Sequence, residues 1–466
     1  TMSKKILALV LAIAMVIGLA ACTSTPAASD TPSESTQTSD KPSESTATGD
    51  PITLPVCYYG MTDDAFANIW ETNKETNPDL EEGEFTDGLQ KVNYTFKKIT
   101  NEDYPQYKVE FCDWGWSEEL DQKIRAQLPA GDPPAVVAGE VSMPSYALEG
   151  ILSEIPQDIV DSVYGSFLLN DPDGKPVGIA TSSALFHLYY NIDILEKAGF
   201  TEKDVPTTWE EWQTISAAIT EKGNGEYWGG GIPSFPHMGG ALRATPFLRQ
   251  MGVDFGTSDS AELLSDPKTI ETLEYIRTMN AYLPAGTGNA TDENALWSLW
   301  DDKGTGTIAF VVDGTFRGQN NALSGINAGV ADLPLPEGGV EANCAVGSVI
   351  IGVPKAFKEQ DAAFEMVRLI ISPEVATGWV ENYRVVPSKE IMDNDELFKD
   401  ASDTLLAARE LYRSDKPVEG LVTFNKNSSA IWEIIDQKVL SAATMTETPI
   451  EDLVKQAQTE IDNLLK

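Results

Sequence analysis

Catalysis near neutral pH needs a positioned proton carrier, an activated nucleophile, a metal or a phosphate cradle, and this 466-residue chain is poor in all four. Its imidazoles are His187 and His237, so a two-histidine zinc site would need both, and no H-E-x-x-H is present. The nucleophile elbow G-x-S-x-G and the phosphate loop G-x-x-x-x-G-K-S/T are absent as well. Gly304-Thr305-Gly306-Thr307-Ile308-Ala309 spells a dinucleotide pattern. It follows Asp301-Asp302-Lys303 instead of a strand and runs into strand-like Ile308–Val312, so its context rejects that reading. Asp171-Pro172-Asp173-Gly174-Lys175 lacks the further acids of a calcium loop and reads as a tight turn. Among 72 Asp and Glu, a pair spaced for glycoside hydrolysis can be found almost anywhere and carries no information. The expectation is a protein that is not an enzyme and holds neither cofactor nor metal. What the chain does offer is aromatic and charged groups side by side, as in Asp113-Trp114-Gly115-Trp116. Such a set can cover an apolar ring face while bonding polar groups at its rim.

These groups need elements to aim them. Leu54–Tyr59 reads as a strand, the stretch after Met61 as a helix, and Tyr107–Cys112 as a second strand. Leu120, Ile124 and Leu128 give 117–128 one apolar helical face, which Pro129–Pro134 ends, and Ala135–Ala138 reads as a strand buried on both sides. Strand, helix, strand, helix, strand is the order of a parallel α/β sheet. Thr208 with Glu211 predicts a capping box ahead of Trp209, Trp212, Ile215 and Ile219, whose spacing makes both tryptophans core residues. Asp361–Ile371 is a further helix. Thr448, Pro449 and Glu451 predict a last helix with Thr448 as its cap and Pro449 as its first residue.

The charge is −39, from 33 Lys and Arg against 72 Asp and Glu, which argues against nucleic acid as a partner and against adsorption to anionic membranes. Lys4 and Lys5 precede an apolar run from Ile6 to Ala21, the form of a secretory signal over 1–21. Leu19-Ala20-Ala21-Cys22 resembles the lipobox of bacterial lipoproteins, in which the cysteine is diacylated and becomes the mature N-terminus; a plain secreted protein is the alternative. Loss of residues 1–21 removes two lysines and no acid, so the mature charge is 31 − 72 = −41. Residues 23–50 hold seven Ser, seven Thr and three Pro with no aromatic residue, so 22–50 reads as a lipidated cysteine and a disordered tether spanning roughly 30 Å. Cys57, Cys112 and Cys344 show no C-x-x-C or metal spacing. Cys57 and Cys112 both end strand-like runs, so a bridge is sterically open to them if those strands are neighbours; three buried, unpaired thiols is the other reading.

Leu188-Tyr189-Tyr190-Asn191-Ile192-Asp193-Ile194-Leu195-Glu196-Lys197-Ala198-Gly199-Phe200, followed by Val205-Pro206-Thr207-Thr208-Trp209-Glu210-Glu211-Trp212, resembles the extracellular solute-binding proteins of carbohydrate ABC transporters. That is the family that includes maltose-binding protein. Gly306-Thr307-Ile308-Ala309-Phe310 through Asp313-Gly314-Thr315-Phe316 is similar to the family's G-x-x-A-M-x-x-x-G-x-W, with Phe310 for Met and Phe316 for Trp. Asp332–Gly339, Gly347-Ser348 and the helix before Ser372-Pro373-Glu374 follow in the expected order, so the resemblance covers roughly 54–466.

The resemblance implies a two-lobe α/β fold of the periplasmic-binding-protein kind, with a ligand cleft between lobes and crossings near Ile179–Ser183, Ala345–Ile350 and Asp393–Leu397. The N-terminal lobe is then 51–180 plus 350–393, and the C-terminal lobe 183–345 plus 397–466. It also implies a carbohydrate ligand, an ABC transporter permease as partner, a monomer, and a place at the outer face of the cell membrane through a lipid anchor on Cys22. A pyranose has an apolar CH face and a rim of hydroxyls, which aromatic rings and charged or amide groups match. Candidate contacts at strand ends are Tyr59, Asp113, Trp114, Trp116 and Glu140. The resemblance adds Phe235, His237, Asp313, Phe316, Arg317 and Trp432, while His187 beside the first crossing reads as a satisfied interior histidine. The alternatives are a polyol or sugar phosphate as ligand, or a surface glycoside hydrolase.

Overall fold

The computed structural model describes residues 50–57, 78, 85, 88–112, 114, 117–232, 238–253, 264, 266–287, 294–300, 306–414, 418, 420 and 423–466. The signal segment, Cys22, the tether and the helix expected after Met61 lie outside them. The described residues fold around two large hydrophobic cores.

Strand β1 (Ile52–Val56) runs parallel to β2 (Tyr107–Phe111), and Val56 bridges in parallel to Val136, just before β3 (Val137–Gly139). Next come β4 (Leu168–Asn170) and β5 (Pro176–Ala180), an antiparallel hairpin. Its turn is closed by the Asp171 carboxylate, which accepts from the Asp173 and Lys175 amides at 3.0 and 2.9 Å, so this acidic run is a turn. Long β6 (Ala184–Asn191) opens a second sheet with β7 (Trp228–Gly230), β8 (Ile308–Gly314), β9 (Ala328–Ala331) and β10 (Ala345–Val346). Finally β11 (Ile350–Gly352) returns to the first sheet and pairs antiparallel with both β3 and β5. The parallel pair β1–β2 is thus joined by the Val56–Val136 bridge to an antiparallel sheet in the order β3-β11-β5-β4, where the element order alone suggested one parallel sheet: the return crossing brings β11 in from the opposite direction.

Every residue of β8 is buried. It lies between β6 and β7, with neighbours on both edges and packing on both faces. Gly306 leads straight into this strand, so the G-x-G-x-x-A text has no phosphate-binding helix behind it. Gly230 on β7 has φ +90, and a Cβ there would fall 2.0 Å from the Phe310 carbonyl oxygen, so only glycine lets these strands meet.

The first core gathers Leu54, Phe96, Phe111, Val136, Ile179, Ile351, Phe364 and Trp379. The second gathers Leu188, Trp209, Trp212, Phe247, Phe310, Trp432, Ile450 and Ile461. The chain passes from one sheet to the other at 181–183 and again at 347–349. The last passage differs from the expected 393–397. Phe398, Leu405, Ala408 and Tyr412 all belong to the first core, and the second resumes only at Phe424. The reason is the helix Asp403–Arg413, whose 405, 408 and 412 positions form one apolar stripe aimed at the first core. The last helix, Ile450–Leu464, starts one residue later than expected, because Pro449 keeps an extended backbone (φ −54, ψ 136) and Thr448 makes no cap.

The helix Trp209–Gly223 shows how local sequence fixes an element. The Thr208 hydroxyl accepts from the Glu211 amide at 3.1 Å, the Glu211 carboxylate accepts from the Thr208 amide at 3.2 Å, and Asn224 ends the helix in the left-handed region at φ 46. Trp209 and Trp212 are both buried. Thr208→Ala should cost about 1 kcal/mol, read as a lower urea midpoint by tryptophan fluorescence; an unchanged midpoint would show that packing alone holds this helix.

Candidate functional site

Where the two sheets exchange chain, charged and aromatic side chains converge. Glu140 is the residue after β3, and the Ile350↔Gly139 register brings the 347–349 crossing beside it. The Ser348 amide donates to Glu140 Oε1 at 3.3 Å. Burial pushes the Glu140 carboxyl up to about 7, while the Ser348 and Gly347 amides and the charges of Arg384 and Arg243 pull the other way. Arg384 donates from Nη1 to the Gly347 carbonyl at 2.8 Å and from Nε to Asn382 Oδ1 at 3.1 Å. Gly347 has φ +61 and comes so close to Arg384 that a Cβ would sit 2.6 Å from Nη1. The Arg384 guanidinium also lies 4.4 Å from the Phe316 ring centre, a cation–π contact that joins the two lobes.

Further bonds cross between the lobes. Thr315 Oγ1 donates to the Tyr383 carbonyl at 2.6 Å and Gln319 Nε2 to the Glu381 carbonyl at 3.1 Å. Ser145 Oγ donates to the Asn425 carbonyl at 2.6 Å. Three hydroxyls meet at the crossings, where Ser183 Oγ is bonded to both Ser348 Oγ and the Tyr412 hydroxyl.

Behind Phe316, Asp313 is wholly buried. Its Oδ1 accepts from Arg243 Nη2 at 3.0 Å, and its Oδ2 accepts from Arg317 at 2.8 Å (Nε) and 2.7 Å (Nη2). The Arg317 guanidinium stacks 3.6 Å over the Trp297 ring, with that of Arg243 at 5.2 Å. Asp313 and Arg317 were expected to touch ligand; in this structure they form an internal ion pair, 0% and 3% exposed, beside the segment that carries Phe316. Trp432, expected as a ring against ligand, is 1% exposed and packs on Phe424 in the second core. Phe316 does stand at the junction, with Arg384 over its ring. Trp114 is half-buried beside Leu120 and Ile124. Tyr59, Asp113, Trp116, Phe235 and His237 lie outside the described residues.

His187 is interior, but it is not satisfied. Neither ring nitrogen makes a hydrogen bond of good geometry, and the nearest groups are the Asp332 carboxylate at 3.9 Å and the backbone of Ala331. Burial lowers its pKa against the pull of Asp332, so it is neutral at pH 7. It borders a crevice of about 870 Å³ whose other polar walls include Glu202, Asp332, Glu341 and Glu410. That crevice shares no residue with the Glu140 junction. Among the described residues, no three His, Cys, Asp or Glu side chains converge as metal ligands.

Sequence reasoning missed Arg384, Arg243 and Trp297 at this junction. It also missed Asp436, a buried carboxyl in the irregular turn after the helix Ser428–Ile435, whose pKa burial raises well above the carboxylate range. Arg384 follows Tyr383 at φ 57, and no local pattern announces that kink.

The description that matches residues 83–377 is that of the bacterial extracellular solute-binding proteins. A galactooligosaccharide-binding protein of Bacillus subtilis is 22% identical over 405 residues, covering 84% of this chain and 87% of that one. Among solved structures, a cyclic alpha-maltosyl-1,6-maltose binding protein from Arthrobacter globiformis superposes with a TM-score of 0.63 at 17% identity, covering 89% of this chain and 99% of that one. A maltose-bound MalE3 of T. maritima gives 0.65 at 19% identity, covering 89% and 100%. These likenesses fix the two-lobe fold.

The Glu140 carboxyl ionises at 4.5 in a free chain and about 7 in the fold. Between those values the unfolded state holds fewer protons, so stability falls as pH rises through the window and levels off above it. Urea midpoints taken at about pH 5 and about pH 8 should show this slope, and Glu140→Gln should flatten it. Parallel slopes for the two proteins would remove Glu140 as the group responsible.

Proposed function

Since the chain belongs to the bacterial extracellular solute-binding proteins, we propose that it captures a mono- or oligosaccharide between its lobes and passes it to the permease of an ABC transporter. It works as a monomer at the outer face of the cell membrane, held there by a lipid on Cys22. The observation that carries this reading is the junction at the crossings, where Glu140, Arg384 and Phe316 from different segments converge between two cores. A ring and charged groups that can bond hydroxyls are what a pyranose requires, and Trp114 adds a half-buried ring packed on the cluster that includes Val137 of β3. The names of the Bacillus relative and of both structural neighbours point to oligosaccharides.

No chemistry is needed. Ligand contacts that involve both lobes favour the closed arrangement, and closure is what the permease recognises. A sugar or polyol phosphate suits the junction less well. Asp313 already engages Arg243 and Arg317, and an ionised Glu140 would repel a phosphate. A hydrolase would need a second free carboxyl opposite Glu140, and Asp313 is enclosed.

Calorimetry of the protein against gluco-, galacto- and manno-oligosaccharides and their monosaccharides should find one class that binds, with Trp114→Ala weakening it about tenfold or more. Tight binding of a different solute class with no response to any sugar would end the carbohydrate reading. In fractionated cells Cys22→Ala should move the protein from the membrane to the medium; a variant that stays with the membrane would refute the anchor.

A further inference from the structure

Cys57 and Cys112, buried free thiols in this structure, sit one residue past the ends of β1 and β2, which are parallel neighbours. The register ends with Val56 opposite Phe111, and the Cys112 amide still donates to the Val56 carbonyl at 3.0 Å, so the next opposed pair is Cys57 and Cys112. Adjacent strands run about 4.8 Å apart, inside the roughly 4.4–6.8 Å between Cα atoms that a disulfide spans. Both side chains enter one small cluster with Leu120, Ile124, Met143 and Tyr146, so they point to the same face. They are 1% and 9% exposed, and the Cys57 thiol is in hydrogen-bonding reach of the Cys112 sulfur. Cys344 lies in the second core and cannot compete.

We propose that Cys57 and Cys112 are joined by a disulfide in the mature protein, a staple across the C-terminal ends of β1 and β2. The inference rests on the extracellular place of the family, where disulfides persist. The oxidant is a disulfide donor of the glutathione class. One cysteine thiolate attacks RS–SR and releases RS⁻; the second attacks the mixed disulfide and releases another RS⁻. Two protein thiols become one disulfide, and the donor takes up two electrons and, after protonation, two protons. Burial and then the Cys112 contact raise the Cys57 pKa far above the usual thiol range, so the folded protein offers almost no thiolate. The bond therefore forms while the strand ends are still assembling, and it is then shielded from reductants.

The full chain is unfolded, refolded in a buffer of reduced and oxidised glutathione, quenched with acid, alkylated in denaturant, and read by intact mass and peptide mapping. The expected product lacks two alkyl groups relative to a fully reduced control and yields one linked peptide pair containing Cys57 and Cys112. Cys344→Ser should leave that pair in place, whereas Cys112→Ser should leave Cys57 alkylated. Adding the same buffer to protein already folded in its reduced form should give the bond far more slowly. The oxidised protein should also unfold at a urea midpoint higher by about 1 M, a difference absent from the variant Cys57→Ser with Cys112→Ser. Alkylation of both cysteines at every redox ratio, glutathione adducts on either without a linked pair, or identical midpoints with and without reductant would overturn the staple. None of these measurements involves a sugar, so their failure and a failure of the carbohydrate reading are separate results.

Discussion

One hydroxyl holds the molecule's centre. Ser183 Oγ bonds to Ser348 Oγ and to the Tyr412 hydroxyl, while the Ser183 backbone pairs with Val385 through two bonds of 2.9 Å. Ser183 lies in the first crossing, and its partners come from the second crossing, the segment after Trp379 and the helix that precedes the last crossing. In water each of these bonds would be exchanged at little gain. Here Ser183 is fully buried and Tyr412 is 3% exposed, and burial pushes the tyrosine pKa up to about 12. Losing one partner would leave the others unmet in a place that water does not reach. The two cores thus share a point held by buried hydroxyls, and the Glu140 junction lies next to it.

The charges around that point are arranged in two ways. Asp313 gives both oxygens to arginines and is enclosed, which makes the Phe316 wall rigid: each buried guanidinium would be costly without it. Burial raises the Glu140 pKa to about 7 against the pull of the Ser348 and Gly347 amides and of Arg384 and Arg243, so it stays close to the boundary between protonated and ionised. The first arrangement neutralises its carboxylate with two arginines, and the second leaves a carboxyl held mainly by backbone amides. Asp313 is thus closed off by its arginines, while Glu140 keeps to the junction between the two sheets.

Much of this was legible in the chain. Thr208 and Glu211 announced their helix because a capping box is local, and Ala135–Ala138 read as a strand buried on both sides because its run is apolar throughout. The order of motifs gave the two lobes. The partners of Asp313 and the position of Arg384 were not legible: Arg243 lies 70 residues from Asp313, and Arg384 reaches Gly347 and Phe316 only after the crossings fold. The helix 403–413 carries a clear stripe at Leu405, Ala408 and Tyr412, but a stripe says which face is buried and not which core buries it. Trp432 illustrates the same limit, since an aromatic residue near a cleft by sequence order packed inward on Phe424.

Leu54 and Tyr412 share one core, and this has a kinetic side. The first core joins β1 to the helix Asp403–Arg413, so the chain must close a very long loop before that core is complete, and contacts between distant residues form slowly. A ribosome-bound or translocating chain that has emerged only as far as β5 holds much of the first sheet but lacks β11, the Phe364 helix and the Tyr412 stripe. Such a chain has no finished hydrophobic interior to lock it, and it stays threadable until almost its whole length has been delivered.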